Sequence, residues 1–196
     1  MDNLQNTETE LRFLVKGNSW KKSGKGIEIT QRFISLLPQH TVRIRIYGHK
    51  AYLTIKGEKM GDTNIEFEWE IPKKDALEMF RTPALFEGHI IRKKRYIIPD
   101  NTIQWRDKPL TWEVDEFLEE NEPLRIAEIE LPGLKTHEET ARLTNQVLLN
   151  LPEWIGDHLD YIADPSVSRY FNVNLAQRPF SRWEPNEKEQ MLRHLR

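Results

Sequence analysis

Glu8-Thr9-Glu10-Leu11-Arg12-Phe13-Leu14-Val15 places two carboxylates and a guanidinium at alternate positions, with Thr9, Leu11 and Phe13 on the other register. Side chains of a strand alternate between its faces, so Glu8, Glu10 and Arg12 share one side. That side cannot be an ordinary apolar core. The same alternation returns in Val42-Arg43-Ile44-Arg45-Ile46, in Ile65-Glu66-Phe67-Glu68-Trp69 and in Ile126-Ala127-Glu128-Ile129-Glu130-Leu131. A sheet that carries charges of both signs along one face is suited to holding metal ions and a polyanion together.

Around this stretch the chain reads as a succession of strands, predicted at 8–15, 27–36, 41–47, 51–57, 64–71, 88–98, 102–106, 111–117 and 125–131. Gly17 to Gly26 is a basic, turn-rich loop, Gly48-His49-Lys50 a tight hairpin, and Gly57-Glu58-Lys59-Met60-Gly61-Asp62 a further turn. Pro72 ends one strand, and Ala76, Leu77 and Phe80 predict a helix over 73–81. After Pro132-Gly133 the period changes to that of a helix over 136–150, carried by Ala141, Leu143, Val147 and Leu148. A polar helix is predicted from about 184, with Pro185 in its first turn. Eight or nine antiparallel strands with few intervening helices predict a mainly β fold, a closed or nearly closed barrel.

The 196 residues suit one domain that buries a real core. The 29 Lys+Arg against 31 Asp+Glu leave a net charge of −2, which exerts no whole-protein pull toward nucleic acid or membrane, and neither is expected as a partner. Any affinity for polyanions must come from local placement of the basic residues. Cys is absent, which excludes disulfides, thiolate metal sites and Cys nucleophiles. The polar, acidic opening does not resemble a signal peptide and no apolar stretch would span a bilayer, so a cytoplasmic location is expected.

Arg12, Arg43, Arg45, Lys56, Lys93 and Arg95 form the basic set, one or two from each of several strands. On a single strand such alternation ordinarily marks a solvated outer face. Here the opposite faces carry Val42, Ile44, Ile46, Ile65, Phe67, Trp69 and Ile71, large enough to pack under helices, which turns the charged faces inward. Burying so many charges is costly unless they are paired, hydrated or bound to ions. An interior that grips a polyphosphate meets that condition, since Arg forks bind phosphate oxygens in pairs and Lys supplies point charges. The acidic set is Glu8, Glu10, Glu66, Glu68, Glu113, Asp115, Glu128 and Glu130. Hard oxygen ligands of this kind select Mg²⁺ or Mn²⁺; neutralising neighbouring Arg and Lys is an equal reading for Glu66, Glu68 and Glu113. The six His show no ligand spacing, and neither a Walker loop nor a nucleophile elbow is present. The tryptophans Trp69, Trp105, Trp112, Trp154 and Trp183 are read as packing residues.

The opening Glu8-x-Glu10-x-Arg12-Phe13-Leu14-Val15 resembles the ExExK signature of the CYTH superfamily, the triphosphate tunnel metalloenzymes. The resemblance continues in the family's order through Thr41-Val42-Arg43-Ile44-Arg45, Leu53-Thr54-Ile55-Lys56-Gly57, Glu66-Phe67-Glu68, Arg92-Lys93-Lys94-Arg95-Tyr96, Trp112-Glu113-Val114-Asp115-Glu116-Phe117, Ala127-Glu128-Ile129-Glu130-Leu131 and Ser168-Arg169-Tyr170-Phe171-Asn172. It implies an eight-stranded antiparallel β-barrel forming a charged tunnel with flanking helices, in which residues 1–176 are the tunnel domain and 177–196 an extension that packs on or caps it. It further implies a hydrolase that cleaves the terminal phosphoanhydride of a triphosphate or polyphosphate, inorganic tripolyphosphate first. Thiamine triphosphatase, class IV adenylate cyclase and a non-catalytic polyphosphate- or nucleotide-binding module are the alternatives.

On this resemblance Arg12, Arg43, Arg45, Lys56, Lys93 and Arg95 bind phosphate, with Arg12, Lys56 and Arg95 the catalytic candidates. Glu8, Glu10, Glu128 and Glu130 hold Mg²⁺ or Mn²⁺, with Asp115 a further metal contact, and Glu66, Glu68 and Glu113 are supporting carboxylates. A homodimer is expected from the family alone. Two departures stand out: Arg12 replaces the signature Lys, and Phe33 stands where many bacterial members carry a Tyr assigned as proton acceptor. The family's late Lys corresponds to Asn174.

Overall fold

The computed structural model describes residues 7–37, 39–57, 64–131, 136–160 and 163–194. The predicted turn from Glu58 to Asp62 and the Pro132-Gly133 break lie outside the described residues, as do the side chains of Glu8 and Ile65. Nine strands among the described residues form one antiparallel sheet: β1 (Thr7–Val15), β2 (Ile27–Leu37), β3 (His40–Tyr47), β4 (Lys50–Gly57), β5 (Asn64–Ile71), β6 (Glu87–Trp105), β7 (Lys108–Phe117), β8 (Arg125–Leu131) and β9 (Ile155–His158). Their order is β5-β4-β3-β2-β6-β7-β8-β1-β9.

β5 also meets β1 through Thr7↔Ile65 and Glu8↔Asn64, which brings β1 to β8 round into a nearly closed barrel. The join is short for a reason visible in β1. One edge of that strand is fully used by β8, from Thr9↔Leu131 to Leu14↔Ile126. The other edge is shared: its first residues pair with β5, and Phe13 and Val15 pair with His158 and Ile155 of β9. The seam therefore opens where β9 takes over from β5.

The two predicted strands at 88–98 and 102–106 are one strand, β6, interrupted by a register shift between Asp100 and Gln104. The buried Asp100 carboxylate holds this bulge, accepting hydrogen bonds from Thr102 N (2.9 Å), Thr102 Oγ1 (2.6 Å) and Trp112 Nε1 (2.8 Å). Gly48, with φ +58°, makes the tight β3–β4 hairpin. Arg106 and Asp107 both take positive φ in the β6–β7 hairpin, the geometry whose twist matches that of paired strands.

Two apolar layers lie outside the barrel. Helix α2 (His137–Leu149) covers β1, β6, β7 and β8 with Leu143 and Val147 against Phe13, Trp112, Val114, Ala127 and Ile129. It starts at a Thr136-x-x-Glu139 cap in which Thr136 Oγ1 accepts from Glu139 N at 3.1 Å. Trp20 packs into the same layer, edge-on to Tyr96 at 4.8 Å, and so ties the basic loop to the outside of the barrel. Helix α1 (Lys73–Phe80) covers Ile44, Ala51, Ile46, Leu53 and Ile71. The expectation that Phe67 and Trp69 pack under a helix is corrected: they are 46% and 49% exposed and stack on each other at 6.0 Å. An eight-residue helix spans only about 12 Å and α1 reaches just the Ile71 end of β5.

A third apolar cluster fills the inner face at one end. Leu14, Phe33, Ile91, Phe117 and Ile126 from the strands meet Val167, Tyr170, Leu175, Ala176, Phe180, Trp183 and Met191 from the C-terminal segment. That segment contains α3 (Asn172–Gln177) and α4 (Pro185–His194). At Gly88 (φ +64°) α3 comes so close to β6 that an added Cβ would sit 2.5 Å from the Ala176 carbonyl oxygen. Among the described residues no helix is long and apolar enough to cross a membrane.

Candidate functional site

Cross-strand register decides which side chains share the inner face, because directly paired residues point the same way. On one half of the barrel the pairs are Arg95↔Asp115, Glu113↔Glu128, Arg12↔Glu128 and Glu10↔Glu130. On the other they are Lys56↔Glu66 and the neighbouring rungs Arg43↔Thr54, Thr54↔Glu68 and Arg45↔Tyr52. The basic set and the described members of the acidic set therefore line one continuous face, supplied by β1 and β3 to β8.

The centre of the first half is Asp115, 2% exposed. Arg95 grips it with both arms of its fork, Nε to Oδ1 and Nη2 to Oδ2, each at 2.7 Å, and Lys93 Nζ donates to Oδ2 at 2.6 Å. Arg95 also bonds Glu113 through Nη1 and reaches Glu128 at 3.4 Å. Arg12 Nε donates to Glu128 Oε1 at 2.7 Å, its Nη2 bonds Glu10, and its guanidinium lies over the Phe171 ring at 4.5 Å. In the second half Arg45 Nη2 donates to both oxygens of Glu68, at 3.0 and 2.9 Å, and Thr54 Oγ1 donates to Glu68 at 2.7 Å. Arg43 is within 3.5 Å of Glu66 and 3.9 Å of Glu68, and Lys56 is paired with Glu66.

Protonation states follow from these partnerships. Burial lowers the Lys93 ammonium to about 8, since the two carboxylates that offset the desolvation, Asp115 and Glu128, are both shared with Arg95. Asp115 is outnumbered two to one by cations and stays below the usual carboxylate range despite its burial. Burial would raise Glu128, but Arg12 and Arg95 outweigh it and hold the carboxyl well below that range. Arg43 is lowered by burial and then by the charge of Arg45, which Glu66 and Glu68 offset only in part. Glu130 is raised, first by burial and then by the like charges of Glu10 and Glu66, and its register partner Glu10 makes the facing carboxylates of β1 and β8 crowd each other.

That crowding tests the fit to a divalent cation. Like charges held close raise each other's pKa, and a hard cation relieves the repulsion. Glu10 and Glu130 fit the role by donor chemistry and by register. Glu128 and Asp115 are engaged by cations in this structure: Glu128 gives one oxygen to Arg12 and the other to Arg95, and both Asp115 oxygens accept from Lys93 and Arg95. Among the described residues no three His, Asp or Glu side chains close around a common point.

Several inner-face residues were not singled out from sequence. Gln31, Tyr47, Tyr52 and Thr54 sit between the charged positions, and their signal is the strand alternation itself: each falls on the same register as Arg43, Arg45 or Lys93. From the C-terminal segment Asn172 reaches the interior, its Oδ1 accepting from Lys93 Nζ at 3.3 Å. Asn174 instead donates to the Ser168 carbonyl at 2.7 Å. Phe33, opposite Arg43, belongs to the apolar cluster that ends the charged surface.

A family model of the CYTH domain matches residues 6–153. An inorganic triphosphatase from Acetivibrio thermocellus is 37% identical over 177 residues, covering 90% of this chain and 97% of its own. The crystal structure of an inorganic triphosphatase is similar with a TM-score of 0.52 at 24% identity, covering 86% of this chain and 93% of its own. A Hippeastrum protein proposed to be an adenylyl cyclase and reported to have a dominant triphosphatase activity is similar with a TM-score of 0.50 at 17% identity, over 72% of this chain and 86% of its own.

Proposed function

Because the chain belongs to the CYTH domain family, we propose that it is a metal-dependent hydrolase that cleaves the terminal phosphoanhydride of inorganic tripolyphosphate. The observation that carries this reading is the inner face, where six cations from β1, β3, β4 and β6 are each ion-paired with a carboxylate of the same face. Such a face gathers the Arg and Lys donors that a compact polyanion needs, and the identity with the Acetivibrio thermocellus inorganic triphosphatase supports the choice of substrate.

Arg43, Arg45 and Lys56 hold the substrate by exchanging part of their contact with Glu66 and Glu68 for phosphate oxygens. The carboxylates keep the guanidinium forks oriented before substrate arrives, so little reorganisation is left for the reaction itself. Arg12, Lys93 and Arg95 neutralise charge that develops on the leaving pyrophosphate. Glu10 and Glu130, with Glu8 on the same strand face, are the residues that would hold Mg²⁺ or Mn²⁺. A divalent ion bound there supplies Lewis-acid polarisation of the terminal phosphoryl group. Phe33 offers no proton acceptor, so positioning and charge stabilisation carry the catalysis, as phosphoryl transfer allows. The C-terminal segment from Gln177 onward caps the apolar end of the barrel.

A metal-by-substrate screen tests the reading. Tripolyphosphate should give equimolar orthophosphate and pyrophosphate with Mg²⁺ or Mn²⁺, faster than thiamine triphosphate, ATP or GTP release phosphate. Formation of cyclic AMP from ATP, with no phosphate release from tripolyphosphate, would overturn it.

A further inference from the structure

Among the described residues, the charged inner face contains one fully buried polar side chain that makes no hydrogen bond. Gln31 is 0% exposed, and neither its Nε2 nor its Oε1 has a partner. A buried amide without partners is costly, and native proteins rarely keep one without a use for it. Its neighbours explain why no internal partner exists. Across β3 it faces Arg45, across β6 it faces Ile91, and two positions along β2 on the same face are Ile29 and Phe33. Three of the four are apolar, and Arg45 is turned toward Glu68 through its Nη2.

The unused hydrogen-bonding capacity is not confined to Gln31. The Nε atoms of Arg43 and Arg45 are also buried without partners, and both residues lie on the adjacent strand of the same face. Arg Nε is a donor only, and Gln Nε2 is a donor, so the shared complement of these three nitrogens is an acceptor oxygen, and the Gln31 Oε1 beside them bonds neither guanidinium. The two guanidinium charges select an anionic one.

We propose that Gln31 is a substrate-contacting residue whose Nε2 donates to a non-bridging oxygen of the phosphate group held by Arg43 and Arg45. The inference rests on the triphosphatase reading and deepens it: β2, which carries none of the interior's charges and has Phe33 where a Tyr would stand, contributes a neutral donor to phosphate recognition. A neutral amide adds a hydrogen bond without adding to the repulsion between Arg43 and Arg45.

Gln31→Met and Gln31→Glu test this in the full chain, by tripolyphosphate hydrolysis kinetics and by thermal unfolding with and without tripolyphosphate. Gln31→Met keeps the shape and removes both unpartnered atoms. Its unliganded melting temperature should equal or exceed that of the wild type, while kcat/KM falls about tenfold to a hundredfold, mostly through KM, and the stabilisation by tripolyphosphate shrinks. Gln31→Glu should lose more, because a carboxylate there repels phosphate. Unchanged kinetics in Gln31→Met, full affinity in Gln31→Glu, or an unliganded melting temperature that drops in both variants would overturn the inference. Wild-type protein that neither hydrolyses tripolyphosphate nor is stabilised by it would instead overturn the triphosphatase reading beneath it.

Discussion

Asp115→Asn tests most sharply how the buried charges are held. The carboxylate is 2% exposed and accepts three hydrogen bonds, at 2.6, 2.7 and 2.7 Å, from Lys93 and Arg95, themselves 2% and 9% exposed. Asn retains the shape but turns an NH₂ group toward one of the two cations and removes the charge that offsets their desolvation. Removing one partner of a buried ion pair costs about 3–5 kcal/mol, a large share of the roughly 5–15 kcal/mol that holds a domain folded. For a chain of this size each kcal/mol moves the melting temperature by about 2–4 °C, so a fall of about 6–20 °C is expected. Differential scanning calorimetry of the unliganded protein measures it. The loss should shrink when tripolyphosphate is present, because the ligand returns negative charge to Lys93 and Arg95 and binds only the folded state. A variant that melts within about 2 °C of wild type in the absence of ligand would refute the argument that Asp115 is what permits these cations to be buried.

Other outcomes follow from the same geometry. Lys93 has a folded-state pKa of about 8 against an ordinary 10.5. Between those values the unfolded chain holds the extra proton, so Lys93 adds stability as pH rises through that window. Urea titrations across pH 8 to 10.5 should show this rise in wild type relative to Lys93→Met. Tripolyphosphate affinity should fall over the same window, by up to about tenfold per pH unit, because the anion favours the protonated ammonium; isothermal titration calorimetry reads it. Trp183 is 3% exposed and packs edge-on to Tyr170 at 5.3 Å, so Trp183→Ala should cost about 3–5 kcal/mol by denaturant unfolding.

The fold was legible wherever a strand had two different faces. Glu10 and Arg12 against Phe13 and Val15, or Arg43 and Arg45 against Ile44 and Ile46, carry their orientation in plain alternation, and the structure turns the charged members inward. β9 was missed because Ile155–His158 is four residues long, and its pairing depends on the edge of β1 that β5 leaves uncovered. The continuity of β6 was hidden by Pro99, Asp100 and Asn101, which mark a turn locally but form a bulge held by Thr102 and Trp112. Phe67 and Trp69 show the limit of alternation: it says which residues share a face, and the length of α1 decides whether that face is covered.

Among the site residues, charge made the Arg, Lys, Asp and Glu positions visible but could not divide them by partner. Glu128 and Glu130 look equivalent in sequence. Glu128 lies opposite Arg12 and is consumed by cations, while Glu130 lies opposite Glu10 and is repelled. Gln31 carries no charge to attract notice, and its signal was a lone polar residue between Ile29 and Phe33 on the same face.

The most direct test of the central claim is the initial rate of orthophosphate release from tripolyphosphate, measured against Mg²⁺ and Mn²⁺ concentration in wild type and in Glu10→Gln. The account predicts a metal-dependent rate in wild type, none after chelation, and a loss of at least about a hundredfold in Glu10→Gln, on the scale of removing one group that stabilises a transition state. Full metal-dependent turnover in Glu10→Gln would contradict it.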